Sequence, residues 1–322
     1  MERLKKNLVL ALCLGVAVYL VLALLSGFGD LRAALASFEY SLVPAILGLV
    51  LLSYAVRFVR WVYYLRLLDV RMPLAKNVTI FVAGLSMTVS PGKLGGVLKS
   101  VFIRQVNGTP IAHTMPAVVT ERVTDGTGMV LWGLLGALAF GYGLGSLLWF
   151  LIITGVGIAV LRSKKLSLLT AKTLSRLPLL NRLTPHIGTF HGGSNQLLAA
   201  RPLVVGTLLS LFSWGLEILA VYLCVVAIGA EVRFLVVTFI FAVASLGGAL
   251  TMLPGGIGAV EVGMTGMFAS LANLSGGLSV ALTFAIRLAT VWFATLIGVL
   301  GLLFVRRWQD ARPAPYEKGT GR

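Results

Sequence analysis

Residues 234–273 read FLVVTFIFAVASLGGALTMLPGGIGAVEVGMTGMFASLAN, apolar at both ends and broken in the middle by Leu253-Pro254-Gly255-Gly256-Ile257-Gly258. Proline removes a backbone donor and glycine loosens the chain, so the run does not continue as one straight helix. It is expected to fold back as a re-entrant hairpin. Residues 77–105 have the same form around Ser90-Pro91-Gly92-Lys93-Leu94-Gly95-Gly96. Six uninterrupted apolar stretches, at about 8–27, 42–65, 114–139, 146–161, 202–228 and 278–305, are long enough to cross a bilayer. The fold class expected is an all-α polytopic membrane protein with about six full spans plus two re-entrant broken-helix hairpins.

Composition agrees. Of 322 residues, 58% are hydrophobic and 12% charged, and mean hydropathy is +0.95; soluble domains keep roughly a quarter of their residues charged. The first apolar run, Leu8 to Leu25, exceeds the ~7–15 residues of a signal-peptide core and is read as an uncleaved span. Net charge is +16, but the basic residues flank apolar spans, where positive-inside bias and anionic headgroups account for them. No aromatic-basic pattern for bases occurs, so nucleic acid is not an expected partner. Cys13 and Cys224 lie far apart in apolar runs, neither a disulfide framework nor a metal spacing.

Charge also orients the chain. The connection 162–201 carries Arg162, Lys164, Lys165, Lys172, Arg176, Arg182 and Arg201 without an acid, which places it in the cytoplasm. Starting from a cytoplasmic Arg3, Lys5 and Lys6, the spans close only if the two hairpins open to opposite sides, leaving both termini cytoplasmic. Within 163–180, leucines and basic residues alternate at helical spacing, as in an interfacial helix. The chain divides into one transmembrane domain over 1–305, with halves at about 1–161 and 202–305 joined by 162–201, and a Pro/Gly-rich tail over 306–322. A bacterial cytoplasmic membrane is the expected location.

The two breaks align, Pro91-Gly92-Lys93-Leu94-Gly95-Gly96-Val97 against Pro254-Gly255-Gly256-Ile257-Gly258-Ala259-Val260. A charged residue in the preceding span, Arg57 or Glu217, and another in the following span, Glu121 or Arg287, stand at nearly matching distances from each proline. Each half reads as span, hairpin, span. Hairpins opening oppositely relate the halves by an axis in the membrane plane, an inverted repeat of the kind that supports alternating access.

Charges inside such spans cost several kcal/mol unless paired or wetted. Glu121 and Asp125 share a face of one helix, with Arg122 beside them as a candidate counter-ion. Arg287 has no acid on its own helix, leaving Glu217, Glu261 and the 121/125 pair as available partners; its planar guanidinium suits a lipid phosphate. Arg57 and Arg60, one turn apart before Trp61 and Tyr64, read either as ligands or as snorkelling anchors. Lys93 and Lys99 adjoin the first break, where free amides and two cations suit an anionic headgroup. His113, His186 and His191 lack partners at ligand spacing, so no metal is expected. Ser86 and Ser90 have no nearby His to make a nucleophile, and no nucleotide motif or cofactor fingerprint occurs.

Taken together, Ser90-Pro91-Gly92-Lys93-Leu94-Gly95, Val119-x-Glu121-Arg122-x-x-Asp125, Pro254-Gly-Gly-Ile-Gly-x-x-Glu261 and Arg287-Leu-x-Thr290-x-Trp292 resemble the lysylphosphatidylglycerol synthase transmembrane-region family of flippase-like proteins, over roughly 5–305. The resemblance implies lipid translocation between leaflets; relatives are linked to aminoacylated phosphatidylglycerol, hopanoids or lipid-linked sugars. Gly96 stands where family members often carry Glu, so no carboxylate role is carried over to that position. Only a short tail follows 305, without an aminoacyl-transferase domain, so synthesis of lysyl-lipid is not expected.

The function expected is therefore a non-enzymatic flippase or transporter of an anionic or amphipathic lipid, with Lys93, Lys99 and Arg287 meeting the headgroup. The alternatives are a membrane enzyme using Glu121 or Asp125 as base, and an accessory subunit of lipid biosynthesis. Membrane lipids are the expected partners, with lipid-biosynthesis proteins or a second copy of the chain as further candidates.

Overall fold

The computed structural model describes residues 28–90, 95–138, 144–165 and 187–310, with single positions at 17, 20, 21, 24 and 169. Among these the protein is all α. The helices are α1 (Phe28–Ala36), α2 (Val43–Leu67), α3 (Leu74–Leu85), α4 (Gly95–Asn107), α5 (Ile111–Ala137), α6 (Leu144–Arg162), α7 (Ile187–Leu197), α8 (Ala200–Ala227), α9 (Phe234–Leu250), α10 (Ala259–Leu271), α11 (Gly276–Arg287) and α12 (Phe293–Asp310). Three stretches are long and apolar enough to cross a membrane unaided: Tyr40–Leu67, Ala200–Ala227 and Gly276–Val305. Their outward faces carry exposed Leu51, Leu52, Leu208, Phe212, Leu296 and Leu300, which only a hydrocarbon surround makes inexpensive. The protein is an integral, multi-pass membrane protein.

Both sequence breaks interrupt helices where expected. α3 passes into a 3-10 turn, Ser86–Val89, and the chain resumes at Gly95 as α4; Pro91, Gly92 and Lys93 lie outside the described residues. α9 ends at Leu250, and a 3-10 turn over Pro254–Gly256 precedes α10. Here Gly255, Gly256 and Gly258 have φ of 62°, 66° and 92°, left-handed values that side chains with a Cβ rarely adopt. α3 packs on α4 and α9 on α10, so each break joins two touching arms.

The arms are then exchanged. α5 lies along α9 and α12 along α3, while α2 and α8 pack on each other in the middle. Two glycines set these crossings. A methyl at Gly136 of α5 would strike the backbone of Phe239 in α9, and one at Gly298 of α12 would strike the backbone of Leu85 and Ser86. Small residues at such points let helix backbones approach where lipid gives no hydrophobic drive to pack. The two 3-10 turns meet through Val89 and Ile257, backed by Val291 and Trp292.

Three features lie beyond the sequence reading. The stretch 278–305 is not one regular helix: Leu288–Trp292 is a π-helical segment between α11 and α12. The basic connection holds a helix, α7, seated on α5, whereas the interfacial helix proposed for 163–180 falls mainly outside the described residues. α12 continues through Asp310, past the expected boundary at 305, and residues 311–322 lie outside the described residues, as does most of the first span at 8–27.

Candidate functional site: an ion-paired cavity

The central pair of helices presents its charges inward because they recur at helical spacing. Tyr54, Arg57 and Arg60 follow one another at three-residue steps along one face of α2, and Ser210, Trp214 and Glu217 at steps of four and three on α8. Arg57 Nη2 donates to Glu217 Oε2, joining the two helices, and the Arg57 guanidinium lies 4.2 Å from the centre of the Trp214 ring. Arg60, only 2% exposed, reaches α5 instead, with Nη1 2.8 Å from Asp125 Oδ1 and 3.2 Å from Thr124 Oγ1. Asp125 also accepts from Ser210 Oγ at 3.1 Å.

Each broken unit contributes one further pair. Lys99 on α4 places Nζ 2.6 Å from Glu121 Oε2 on α5 and 3.7 Å from the centre of the buried Trp61 ring. Trp61 is itself fixed by its Nε1, which donates to Asn77 Oδ1 at 3.0 Å. On the other side, Arg287 Nε donates to Glu261 Oε1 at 2.7 Å and its Nη2 to the Gly255 carbonyl at 2.8 Å. Glu261, 1% exposed, takes the Gly258 amide on its second oxygen at 2.7 Å. The Glu261–Arg287 pair thus holds the backbone of the second break. Tyr54 Oη donates to the Thr290 carbonyl at 3.0 Å, an acceptor on the π segment.

These groups surround a cavity of about 390 Å³. Its wall holds Arg57, Arg60, Lys99, Arg122 and Arg287 against Glu121, Asp125 and Glu217; Glu261 stands behind Arg287. Even counting Glu261, cations outnumber acids among the described residues. Arg57 Nε, Arg60 Nε and Trp214 Nε1 are buried donors with no acceptor among the described residues. A buried donor left without an acceptor costs about 1–3 kcal/mol. The chamber is therefore positive and rich in donors, suited to a ligand bearing negatively charged oxygens.

Of the residues singled out from sequence, Arg57, Arg60, Lys99, Glu121, Arg122, Asp125, Glu217 and Arg287 line this one space, with Gly255 and Gly256. Arg57 and Arg60 do not reach out as snorkelling anchors; both turn to acids of neighbouring helices, Arg60 fully buried and Arg57 half-buried. The carboxylates of α5 are held by Lys99 and Arg60 from other helices, and Arg122 adjoins them on the wall. Arg287 selects Glu261 from its candidate acids. Lys93 lies outside the described residues. Gly258 contributes its amide to Glu261, and Gly95 begins α4. Sequence reading missed Tyr54, Trp214 and Ser210, and quoted Trp61 and Thr290 without giving either a role at the site. One signal was present: an aromatic residue three positions before the charge on both central helices, Tyr54 before Arg57 and Trp214 before Glu217. Among the described residues no cluster of His, Cys, Asp and Glu is placed to hold a metal.

Comparison with known proteins matches residues 12–298 to the family model described as the lysylphosphatidylglycerol synthase TM region. A UPF0104 membrane protein of Methanothermobacter thermautotrophicus is 28% identical over 88% of this chain and 90% of its own length. A second protein of that description from the same organism is 24% identical over 93% of each chain. A UPF0104 membrane protein of Pyrococcus horikoshii is 25% identical over 77% of this chain and 82% of its own length.

Proposed function

Because the chain belongs to the lysylphosphatidylglycerol synthase transmembrane-region family, we propose that it carries a lipid with an anionic or amphipathic headgroup between leaflets. The substrate class takes in phospholipids, aminoacyl-lipids, hopanoids and lipid-linked precursors. The observation that carries this reading is the cavity itself, a chamber with surplus cations and unmet donors among apolar, membrane-spanning helices. Embedded charges are expensive in hydrocarbon and mark substrate pathways.

The two broken units are read as re-entrant hairpins in an inverted repeat, α2–α5 against α8–α12. The pairing supports this. Lys99–Glu121 links the first hairpin to the span after it, and Glu261–Arg287 does the same in the second half with the signs exchanged. Arg57 and Glu217, counterparts in the two halves, bond to each other. In this reading the halves rock about the α2–α8 contact, and the headgroup replaces one partner of a pair at a time. Each of the four acids bonded in this way is held by a cation, which favours a counter-charge role over that of a free catalytic base. Both termini and the basic 162–201 segment are assigned to the cytoplasmic face, with membrane lipids, and lipid-biosynthesis proteins or a second copy, as partners.

The test is purified protein in phosphatidylcholine vesicles carrying head-labelled phosphatidylglycerol, with the outer label bleached by a membrane-impermeant reductant. Wild type is expected to expose inner-leaflet label faster than protein-free vesicles, and Arg57→Ala to lose that gain. A wild-type rate equal to the protein-free rate for phosphatidylglycerol, a neutral-headgroup control and labelled members of the other lipid classes would rule translocation out.

A further inference from the structure

Behind the π segment lies a second cavity, about 780 Å³, bounded by α1, α2, α8 and the α11–α12 span. It falls in the ~300–1,000 Å³ range of sites that enclose a ligand. Its wall is of the opposite character to the ion-paired chamber. Leu35, Ile46, Ala285, Leu288 and Trp292 are typical of it, and among the described residues no charged side chain lines it. The Thr295 hydroxyl on this wall is already bonded to the Val291 carbonyl at 2.8 Å. Water would find few partners there. Three of the bounding elements belong to apolar spans, Tyr40–Leu67, Ala200–Ala227 and Gly276–Val305, so hydrocarbon surrounds the groove as well as lining it.

The two cavities share one partition. Leu288, Ala289 and Trp292 face the apolar groove, while Arg287, Thr290 and Val291 face the ionic chamber. The two sets recur at i, i+3 and i+4 spacing on opposite sides of the run, so one helical wall serves both spaces. Along α2 the same change occurs, from Val43, Ile46 and Leu47 on the groove to Tyr54 and Arg57 on the chamber. The Tyr54–Thr290 hydrogen bond ties these two walls together on the chamber side, one residue along from Ala289 of the groove.

We infer that the groove is the hydrocarbon-chain site of the lipid whose headgroup the chamber receives, with Tyr54–Thr290 as the closure of the seam between them. This rests on the headgroup reading above. An anionic lipid joins a charged headgroup to an uncharged chain, and the partition sets a cationic space against an uncharged one across a single helical wall. Phosphate in the chamber and acyl chain in the groove satisfy both spaces with one molecule, and the seam must part for the linkage between them to pass.

Trp292 on the groove wall makes the inference measurable. Purified full-length protein in detergent is titrated with phosphatidylglycerol brominated on its acyl chains, with unbrominated lipid as reference, and tryptophan fluorescence is followed. Saturable quenching at a lipid-to-protein ratio near unity is expected. Its saturable part should vanish in Trp292→Phe, leaving the unsaturable quenching of the other five tryptophans, and fall several-fold in Ala285→Phe, which fills the groove, with unfolding temperatures close to wild type. Should Trp292→Phe not fold, wild type against Ala285→Phe carries the comparison. Quenching that rises without saturation, or that is the same in Ala285→Phe, overturns the site. Brominated diacylglycerol, which lacks the anion, separates the two readings. Equal saturation by both lipids upholds the groove and removes the headgroup preference. Retention of phosphatidylglycerol in native mass spectra without quenching at Trp292 upholds the headgroup and removes the groove.

Discussion

Glu261 holds three things at once: the Arg287 side chain, the Gly258 amide and, through Arg287, the Gly255 carbonyl. Removing one partner of a buried ion pair leaves an uncompensated charge and costs about 3–5 kcal/mol, whereas removing both together costs less. Glu261→Gln and Arg287→Gln singly should therefore lower the unfolding temperature in detergent markedly, and the double variant should recover part of the loss. Additive losses in the double variant would show that the two side chains act separately. For Arg57 and Glu217 the test is exchange. Arg57→Glu alone sets two carboxylates together, and Arg57→Glu with Glu217→Arg restores attraction across the same helix pair. Stability should return in the exchanged protein. The charges themselves were legible in the sequence because ionisable groups in apolar runs stand out; their pairing was not, since Lys99 and Glu121, or Arg60 and Asp125, belong to helices whose packing no local spacing encodes.

Helix crossings follow a different logic, set by what is missing. Gly298 sits where α12 meets the α3 turn, and Gly136 where α5 meets α9. Gly298→Val should reduce folded yield and unfolding temperature strongly, because the collision is with backbone and no side chain can turn away. Gly157→Ala on α6, with open space around the added methyl, should be neutral and provides the comparison, checked by monodispersity in detergent and thermal unfolding. The breaks at Pro91 and Pro254 were readable because proline and glycine act on their own backbone. The π segment and α7 were not. A π turn is a change of one residue in hydrogen-bond register inside an apolar run, and α7 is held by its packing on α5 rather than by a strong apolar pattern of its own.

Motion of the assembled protein, if the proposed function holds, requires the broken units to separate at the point where their turns meet. Val89 and Ile257 belong to one buried cluster, and Val89 also lies beside Gly255. Val89→Cys with Ile257→Cys, in a background lacking Cys13 and Cys224, should form a disulfide under mild oxidation. Vesicle transport should stop on oxidation and resume on reduction, while the single-cysteine proteins remain indifferent to both. Unimpaired transport by fully cross-linked protein would mean that the turns stay together throughout. The arrangement of the two halves was visible in outline from the aligned Pro-Gly runs; the exchange of arms, α5 onto α9 and α12 onto α3, was not, because it depends on contacts far apart in the chain.

The π segment carries one further consequence. An α-helix turns through about 100° per residue, so a single surplus residue between Arg287 and Gly298 fixes the azimuth of everything beyond it. Deleting Ala289 would let the run close as an unbroken α-helix, and Gly298 would swing away from Ser86 by that angle, presenting a bulkier neighbour to α3. Arginine and glycine, one in each seating, are in this sense timed to each other by a one-residue offset, and a shortened chain would keep both residues yet lose the alignment between them.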